Sequence, residues 1–553
     1  MEIVPLRSPV RRSSLRRLIA VLALVAALWP RVAAQPVYLP TDNEVYPFLK
    51  RMEARHLLEG YRDAAKPLSR LTLAKQLKQL ESRKDQMTRV ERDEFEFLKT
   101  EFQYELLKLA GDAEPTETRW HVISTPLNGG VLNLDVDFKL AHTRTDSGTA
   151  SLRAQGLRVY GYAFDNVGFY LNAVDNRETG PGVNLTKANS PMPGMVPSRQ
   201  YPGVLEYNDA DVQFTFRVGA FDFSLEKMKN VWGFGEHGTV IFSDKAPSYP
   251  QVKMRVNLTD DIDFIYFHGE LNSNVVDSVR SYYTSYPNSS YSVFRQVDHS
   301  KYIAAHMLEF SVVRGVDLSL GESIVYSDRG PLLMYMIPVM FFKAGEWYNR
   351  DKDNSQIFGS LDVTALRNVD FYTSLFIDEL NTDAILDPNK SRRQIAFTLG
   401  AHTYDLLMNN VEFLAEYSRG NPWVYNHKYT AANFTNNGYD LGDWIGQNAD
   451  DLYLEASLRP VRGLKLSAFS EVYRKGGKAD IINQYEPDGG DLPFLYGPLH
   501  VERTFGVGGT YEPIRDVYLN ARLWYRSLQD ERYPLQNHDY RPEFIISAGL
   551  ALR

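Results

Sequence analysis

From about Trp120 onward the chain alternates apolar and polar residues with a period of two, and this pattern decides most of what it can fold into. Leu132, Leu134, Val136, Phe138 and Leu140 alternate with Asn133, Asp135, Asp137 and Lys139. Leu452, Leu454, Ala456 and Leu458 alternate with Tyr453, Glu455, Ser457 and Arg459, and Val517, Leu519, Ala521 and Leu523 follow the same rule. Such runs are strands with one apolar and one charged face. Alternation alone fits a soluble sandwich, or a membrane barrel whose apolar face meets lipid and whose charged face lines a lumen.

The connections favour the barrel. Tight polar turns recur at Asp165-Asn166, Asp260-Asp261, Arg314-Gly315, Arg367-Asn368, Arg462-Gly463 and Arg515-Asp516. The opposite strand ends are joined by long polar segments such as Arg177–Asp209, Asn272–Lys301 and Gly420–Asp450. Short turns at one end and long loops at the other are the signature of an outer-membrane barrel, whereas a sandwich scatters its long loops over both ends. About 18 to 20 strand-like runs lie between Val131 and Leu552, enough for one large barrel. Phe544, Ile546, Ala548, Leu550 and Leu552 form a last alternating strand, though Arg553 stands where such barrels usually carry an aromatic.

The N-terminus reads differently. Arg11, Arg12, Arg16 and Arg17 precede the apolar run Leu18–Leu28, and Val32, Ala33 and Ala34 supply a small-residue cleavage pattern. This predicts a secretory signal over residues 1–34, since the apolar run is shorter than a bilayer-spanning helix. Residues 35–118 then read as a small helical domain on the periplasmic side. Thr41 and Glu44 suggest a capping box ahead of Val45, Phe48, Leu49 and Met52; Ser69 can cap a second helix carrying Leu73, Leu77 and Leu80. Thr88 and Glu91 suggest a further box ahead of Phe95, Leu98, Phe102, Leu106 and Leu109, with Gly111 placed to end that helix. The charged stretch Glu81–Glu96 reads as a solvated face. Residues 119–553 form the barrel. No later stretch is an apolar run long enough for a transmembrane helix, and a mean hydropathy of −0.35 is compatible with a barrel, whose strands alternate.

Composition narrows the function. The formal charge is −8, and without residues 1–34, which hold six Arg against one Glu, it is −13. That argues against nucleic acid as a partner, because phosphate neutralisation needs a basic face. There is no cysteine, so neither disulfides nor thiolate-metal sites exist. The 11 His residues show neither H-x-x-x-H nor H-E-x-x-H spacing, so no metal site is expected and no cofactor is implied. No G-x-S-x-G occurs, and Gly321-Glu322-Ser323 lacks the second glycine, so the chain carries no catalytic signature and is read as a non-enzyme.

Three segments remain. Val231–Gly238, with Ser243, Pro247 and Pro250 after it, holds three glycines beside an aromatic pair and suggests a strand bent inward. Gly321–Arg329 is the second. The third joins Trp423, Tyr425, Asn426 and His427 to Trp444, Gln447 and Asn448 in one long loop. Aromatic faces stack on sugar rings and planar amides read paired hydroxyls, so Trp423, Tyr425 and Trp444 are candidate platforms, and Asn426, His427, Gln447 and Asn448 candidate hydroxyl readers. The competing reading is an aromatic girdle anchored at the membrane interface.

Taken in order, the helical start Val45–Glu53, Trp232–Gly238 with Ser243 and Pro247, Gly321–Arg329, Trp423–His427 and Gly446–Asp450 resemble the capsule assembly Wzi family over nearly the whole mature chain. The resemblance implies an 18-stranded outer-membrane barrel, preceded by a short helical domain, that acts as a lectin for surface polysaccharide, capsule or exopolysaccharide. It implies outer-membrane lipid and the polysaccharide export machinery as further partners. A porin or uptake channel is the alternative.

Overall fold

A computed structural model describes residues 36–110, 119–164, 166–285, 292–380, 393–478, 480–485 and 492–552. The predicted signal, the Asp165 turn residue and Gly111 lie outside them. Among the described residues eighteen antiparallel strands close into one barrel. They are β1 (Gly130–Thr145), β2 (Gly148–Ala163), β3 (Val167–Thr179), β4 (Val204–Val218), β5 (Phe221–Met228), β6 (Tyr249–Thr259), β7 (Ile262–Val276), β8 (Asp298–Val313) and β9 (Val316–Ser327). The circuit continues through β10 (Asn354–Val363), β11 (Val369–Leu380), β12 (Arg393–Tyr404), β13 (Val411–Gly420), β14 (Ala449–Val461), β15 (Leu464–Lys475), β16 (His500–Tyr511), β17 (Val517–Asp530) and β18 (His538–Leu550). β18 closes on β1 with Phe544 opposite Arg144 and Leu550 opposite Phe138. A short strand, Ile123–Leu127, pairs with the start of β1.

The expected asymmetry of connections is present. Gly219-Ala220, Asp260-Asp261, Arg314-Gly315 and Arg462-Gly463 turn the chain at one end, while 180–203, 229–248, 277–297, 328–353, 421–448 and 476–499 join strands at the other. The facing follows the alternation. Asp135 and Asp137 are buried inward, whereas Val136, Phe138, Leu140, Leu452, Leu454, Leu519 and Leu523 are exposed outside; Leu132 and Leu134 are only half-buried.

The helical segment sits in the short-turn mouth. It comprises α1 (Val45–Ala54), α2 (Arg70–Leu80), α3 (Arg89–Glu101) and α4 (Gln103–Ala110). Ser69 caps α2, and Thr88 with Glu91 forms the reciprocal box on α3, as read from sequence. The Thr41–Glu44 box does not form: Glu44 makes no side-chain cap, and Asn43 Oδ1 takes the Val45 N–H at 3.0 Å instead. The third helix also breaks at Phe102, which becomes its C-cap and is buried in a shared core with Leu49, Met52, Leu73, Leu77, Phe95 and Leu98. Nor is the Glu81–Glu96 stretch all solvated. Glu91 is 1% exposed and bonds Arg55, and Glu94 bonds Arg51.

Buried charges lock these helices to the wall. Lys50 bonds Asp362 on β10 and Glu53 (3.2 Å), with Asp370 of β11 at 3.9 Å. Arg51 reaches Glu412 on β13 at 3.1 Å, Arg62 reaches Asp263 on β7 at 3.4 Å, and the Ala64 N–H donates to Glu309 on β8 at 2.7 Å. The wall carboxylates are inward positions of the period-two pattern, so the charged lumen face here binds the chain's own helices.

Higher up, the lumen against β7 to β11 is apolar. Ile265 and Phe267, Ile303 and Met307, Val325, Phe358 and Phe376 point inward and meet Trp232 and Phe242 of segment 229–248 and Tyr425, Phe434 and Leu441 of segment 421–448. Ala65 and Lys66 pair with Trp232 and Val231, so the helical segment and a loop-end segment meet within the barrel.

Segment 328–353 behaves differently. It folds back over the outer face of β6 to β9, where Tyr335 and Phe342 of α5 (Phe342–Tyr348) and its approach cover Val256, Phe264, Tyr266, Ala304, Ile324 and Tyr326. Beneath it His306 and Glu322 pair at 3.1 Å on the outer wall, with the Phe342 ring 4.7 Å from the His306 ring. An imidazole–carboxylate pair on an otherwise apolar outer face needs such a cover. Within the predicted Gly321–Arg329 segment, Glu322 supplies that pair and Tyr326 the hydroxyl that accepts the Leu332 N–H at 3.1 Å.

Two outcomes follow. Leu454→Arg, placed on the exposed apolar face of β14, is expected to cost about 2–4 kcal/mol near the midplane, read as reduced stability in a folding titration into lipid. Lys50→Met leaves Asp362, Asp370 and Glu53 facing one another without their cation and is expected to cost about 3–5 kcal/mol. The helical segment should then become protease-sensitive at lower denaturant than the barrel wall, and unchanged sensitivity would show that the ion cluster does not hold it.

Candidate functional site

The loop-end mouth is built from two inward-folded hairpins. In the first, residues 229–248, Trp232 and Phe242 pair backbone to backbone, the Trp232 N–H reaching Phe242 O at 2.9 Å. The turn between them needs glycine: a Cβ on Gly235 would lie 1.8 Å from Gly238 O, and Gly233 has φ +88°. The strand bent inward that the glycines suggested is therefore present. The Glu236 and His237 N–H groups donate to the Glu416 carboxylate of β13 at 2.6 and 2.9 Å. Lys245 places its ammonium among the carbonyls of Lys187, Ser190 and Met192, tying in segment 180–203.

The second hairpin, residues 421–448, holds every predicted glycan residue, and the structure turns most of them inward. Trp423 is 2% exposed, and its N–H donates to Gln447 Oε1 at 3.1 Å. Tyr425 is 1% exposed; its hydroxyl donates to Val240 O at 2.7 Å and its N–H to Asp378 at 2.8 Å, so it links both hairpins to β11. The Asn426 side-chain amide donates to Val424 O at 2.9 Å, and the His427 N–H donates to Asn433 at 2.8 Å. Trp444 donates Nε1 to His237 O at 3.1 Å, and the buried Asn448 amide spans Gly477 O (2.9 Å) and Tyr496 O (3.1 Å). Asn426 and Gln447 are half-buried, while His427 and Trp444 are buried. Of the seven, Trp423 and Gln447 are brought into contact, while Tyr425 packs in the lumen core and Trp444 on Tyr473, so the rings brace the hairpin at separate places. At its tip stands Tyr429, 50% exposed, beside Lys428, which bonds Asp351 of the outer cover.

A second group at this mouth went unnoticed in the sequence. Arg526 bridges Glu502 (3.1 Å) and Glu543 (2.6 Å), and Trp524 Nε1 donates to Glu543 at 2.6 Å. His500 contacts Asp530 (2.8 Å) and Glu502 (3.0 Å), and Arg532 donates to Asp530 at 2.7 Å beside the exposed Tyr533. His500, Glu502, Trp524, Arg526, Asp530 and Glu543 are inward positions of β16 to β18, so carrying the period of two through to the last residue of each strand would have located them, whereas Arg532 and Tyr533 lie in the connection that follows β17. Chemically this is a row of planar donors and acceptors with aromatic rings alongside, the set that reads paired hydroxyls.

Burial biases the titration of the second hairpin. It pushes the Asp443 carboxyl up to about 7, with Glu416 adding to the effect, and Asp440 up to about 6. It pulls His427 down to about 4, helped by Lys428. A raised carboxyl binds its proton more tightly when folded, so Asp443 costs stability as pH rises from about 4 through 7. The lowered imidazole does the reverse, costing stability as pH falls from 6.5 towards about 4. Melting of Asp443→Asn is therefore expected to fall more steeply on acidification than that of the parent, and melting of His427→Gln to fall less. Parallel pH profiles for the two variants would contradict this assignment.

A family model described as capsule assembly protein Wzi matches residues 211–529. No curated protein matches the chain in sequence. Among solved structures, Wzi of Escherichia coli, described as an outer membrane protein involved in group 1 capsule assembly and a carbohydrate-binding β-barrel, aligns with TM-score 0.56 and 12% identity. The alignment covers 94% of this chain and 100% of that one. OpdK of Pseudomonas aeruginosa, solved with vanillate, aligns with TM-score 0.42 and 12% identity over 76% of this chain and 98% of that one. OprD of the same organism aligns with TM-score 0.40 and 12% identity over 76% and 94%.

Proposed function

The chain belongs to the capsule assembly protein Wzi family, and we propose that it is an outer-membrane lectin that holds capsular or exopolysaccharide at the cell surface without catalysis. The observation that carries this reading is the filled lumen. Two loop-end hairpins and the helical segment meet around Trp232, Phe242, Phe267 and Phe358, and above them lies a mouth of planar polar groups and rings. A diffusion channel has no use for a core of this kind in its lumen, whereas a binding surface needs a rigid floor.

The apolar outer belt supports a wall set in lipid, with the long loops facing outward and the helical segment in the periplasm, where export machinery would meet it. The glycan is met at the tip of hairpin 421–448 and along the β16–β18 row. Trp423, Tyr425 and Trp444 act by holding the tip in place, with Asn426, His427, Gln447 and Asn448 fixing its backbone. Tyr429, Tyr533, Arg532 and Arg526 make the contacts. Each contact is weak, and a long polymer gains affinity by meeting many of them.

The test pairs binding with conductance on the purified full-length barrel. Polysaccharide from the producing strain should be retained on immobilised protein, and planar bilayers should show no large steady open conductance. Tyr429→Ala and Arg532→Ala are expected to weaken retention several-fold each with melting unchanged. Trp444→Ala should lower the melting temperature, and Trp423→Ala should do likewise. A large steady conductance with no retention would make the protein a porin.

A further inference from the structure

Where the first hairpin meets β14 and β15, the lumen gathers more buried carboxyl groups than its neighbours partner. His237 Nε2 lies 3.1 Å from Glu471 Oε1 and 3.9 Å from Asp451 Oδ2, and one ligand atom from each of the three side chains falls within 4.8 Å of the other two. Asp451 is 3% exposed and its Oδ1 has no hydrogen-bond partner. Asp443, 1% exposed, also leaves Oδ2 without a partner; its Oδ1 sits 2.7 Å from where a Cβ on Gly238 would be, one residue beyond His237. Glu416 is a fourth carboxylate nearby, but it is satisfied by two backbone N–H groups and the Tyr372 hydroxyl. One imidazole thus serves Asp451 and Glu471 together, with the unpartnered Asp443 oxygen close by. Buried charges persist in proteins when they are paired or coordinate a metal.

The imidazole is held in position. Its ring stacks on Tyr453 with centroids 3.9 Å apart and 7° between planes, and it meets Trp444 edge-on at 5.9 Å. Trp444 Nε1 additionally holds the His237 carbonyl at 3.1 Å. These contacts fix the ring with Nε2 turned to the carboxylates. His237 and Glu471 side chains keep 15% and 16% exposure, which leaves an approach from the lumen.

We propose that His237, Asp451 and Glu471 bind a divalent first-row transition-metal ion, zinc being the best fit to one imidazole and two carboxylates. The ion clamps the first hairpin to the β14–β15 wall, and further positions are open to water. The ligands come from one hairpin and two strands, far apart in sequence, which is why ligand spacing gave no sign of them. The site is independent of the polysaccharide reading, because it lies in the floor beneath the mouth.

The full-length barrel, stripped with chelator in detergent, is titrated calorimetrically with Zn²⁺, Ca²⁺ and Mg²⁺, and spectroscopically with Co²⁺. The expected result is one Zn²⁺ per chain, a Co²⁺ spectrum with an imidazole ligand, and a melting temperature that rises with Zn²⁺. Asp451→Asn and His237→Gln should lose both the binding and the rise. Asp451→Asn replaces a buried carboxyl whose Oδ1 has no hydrogen-bond partner at nearly constant shape, so without metal it should melt at or above the parent, which separates lost binding from misfolding. Absence of stoichiometric Zn²⁺ binding to the parent would overturn the proposal and leave a His–Glu ion pair only. So would equal Zn²⁺ binding by Asp451→Asn, or Ca²⁺ binding that His237→Gln retains.

Discussion

Closing eighteen strands makes an interior wider than the wall's own side chains can fill. This chain fills much of that space with itself. The helical segment enters from the short-turn end and hairpins 229–248 and 421–448 from the loop end, and they meet where Ala65 pairs with Trp232. Around that contact Trp232, Phe242, Phe267 and Phe358 pack edge to face, with centroids 5.2 to 6.1 Å apart. Such geometry excludes water from the middle of the lumen and lets residues from both ends share one core.

That core explains where reading the sequence succeeded and where it stopped. On β1, β14 and β17 the inward face meets polar surroundings, so the alternation is clean and the strands were readable. On β7, Phe264-Ile265-Tyr266-Phe267 is apolar on both faces, because one face meets the outer cover and the other the hairpin core. A period of two disappears when both sides are dry. The glycines of Val231–Gly238 still pointed to an inward bend, since a tight backbone approach leaves a mark in the sequence. The aromatic loop at Trp423–Asn448 stands out in the sequence as a set of candidate sugar platforms, but its three rings are buried. Density of Trp, Tyr and Asn does not say which way a hairpin folds, and the barrel's need for filling decides it. Contacts such as Arg51 with Glu412, or His237 with Glu471, join residues hundreds of positions apart and have no local signature.

The two ends of the filling are held by different chemistry. At the short-turn mouth, ion pairs do the holding: Lys50, Arg51 and Arg62 each meet wall carboxylates in near-complete burial. Replacing such pairs with apolar groups often stabilises a protein, whereas removing one partner destabilises it strongly. Their contribution is therefore best understood as register: each cation fits one set of wall carboxylates, and a helix displaced by a turn would bury its charge alone. At the loop end, backbone groups do more of the work. Glu416 takes two N–H groups of the first hairpin, Asp378 takes one of the second, and the Tyr425 hydroxyl crosses between them.

This division bears on binding at a loop-borne surface. Loops ordinarily lose affinity to the entropy of being ordered, roughly 0.5–1.5 kcal/mol for each side chain immobilised. Here the ordering is completed during folding, because the tip that presents Tyr429 and Lys428 stands on a hairpin whose interior is already packed. The row from Trp524 to Arg532 is likewise held by its own ion pairs before any ligand arrives. A polymer that meets such a surface gains little from any single residue. It gains from repetition, since each weak contact raises the local concentration of the next. The same packed hairpins that fill part of the barrel hold the mouth above them rigid.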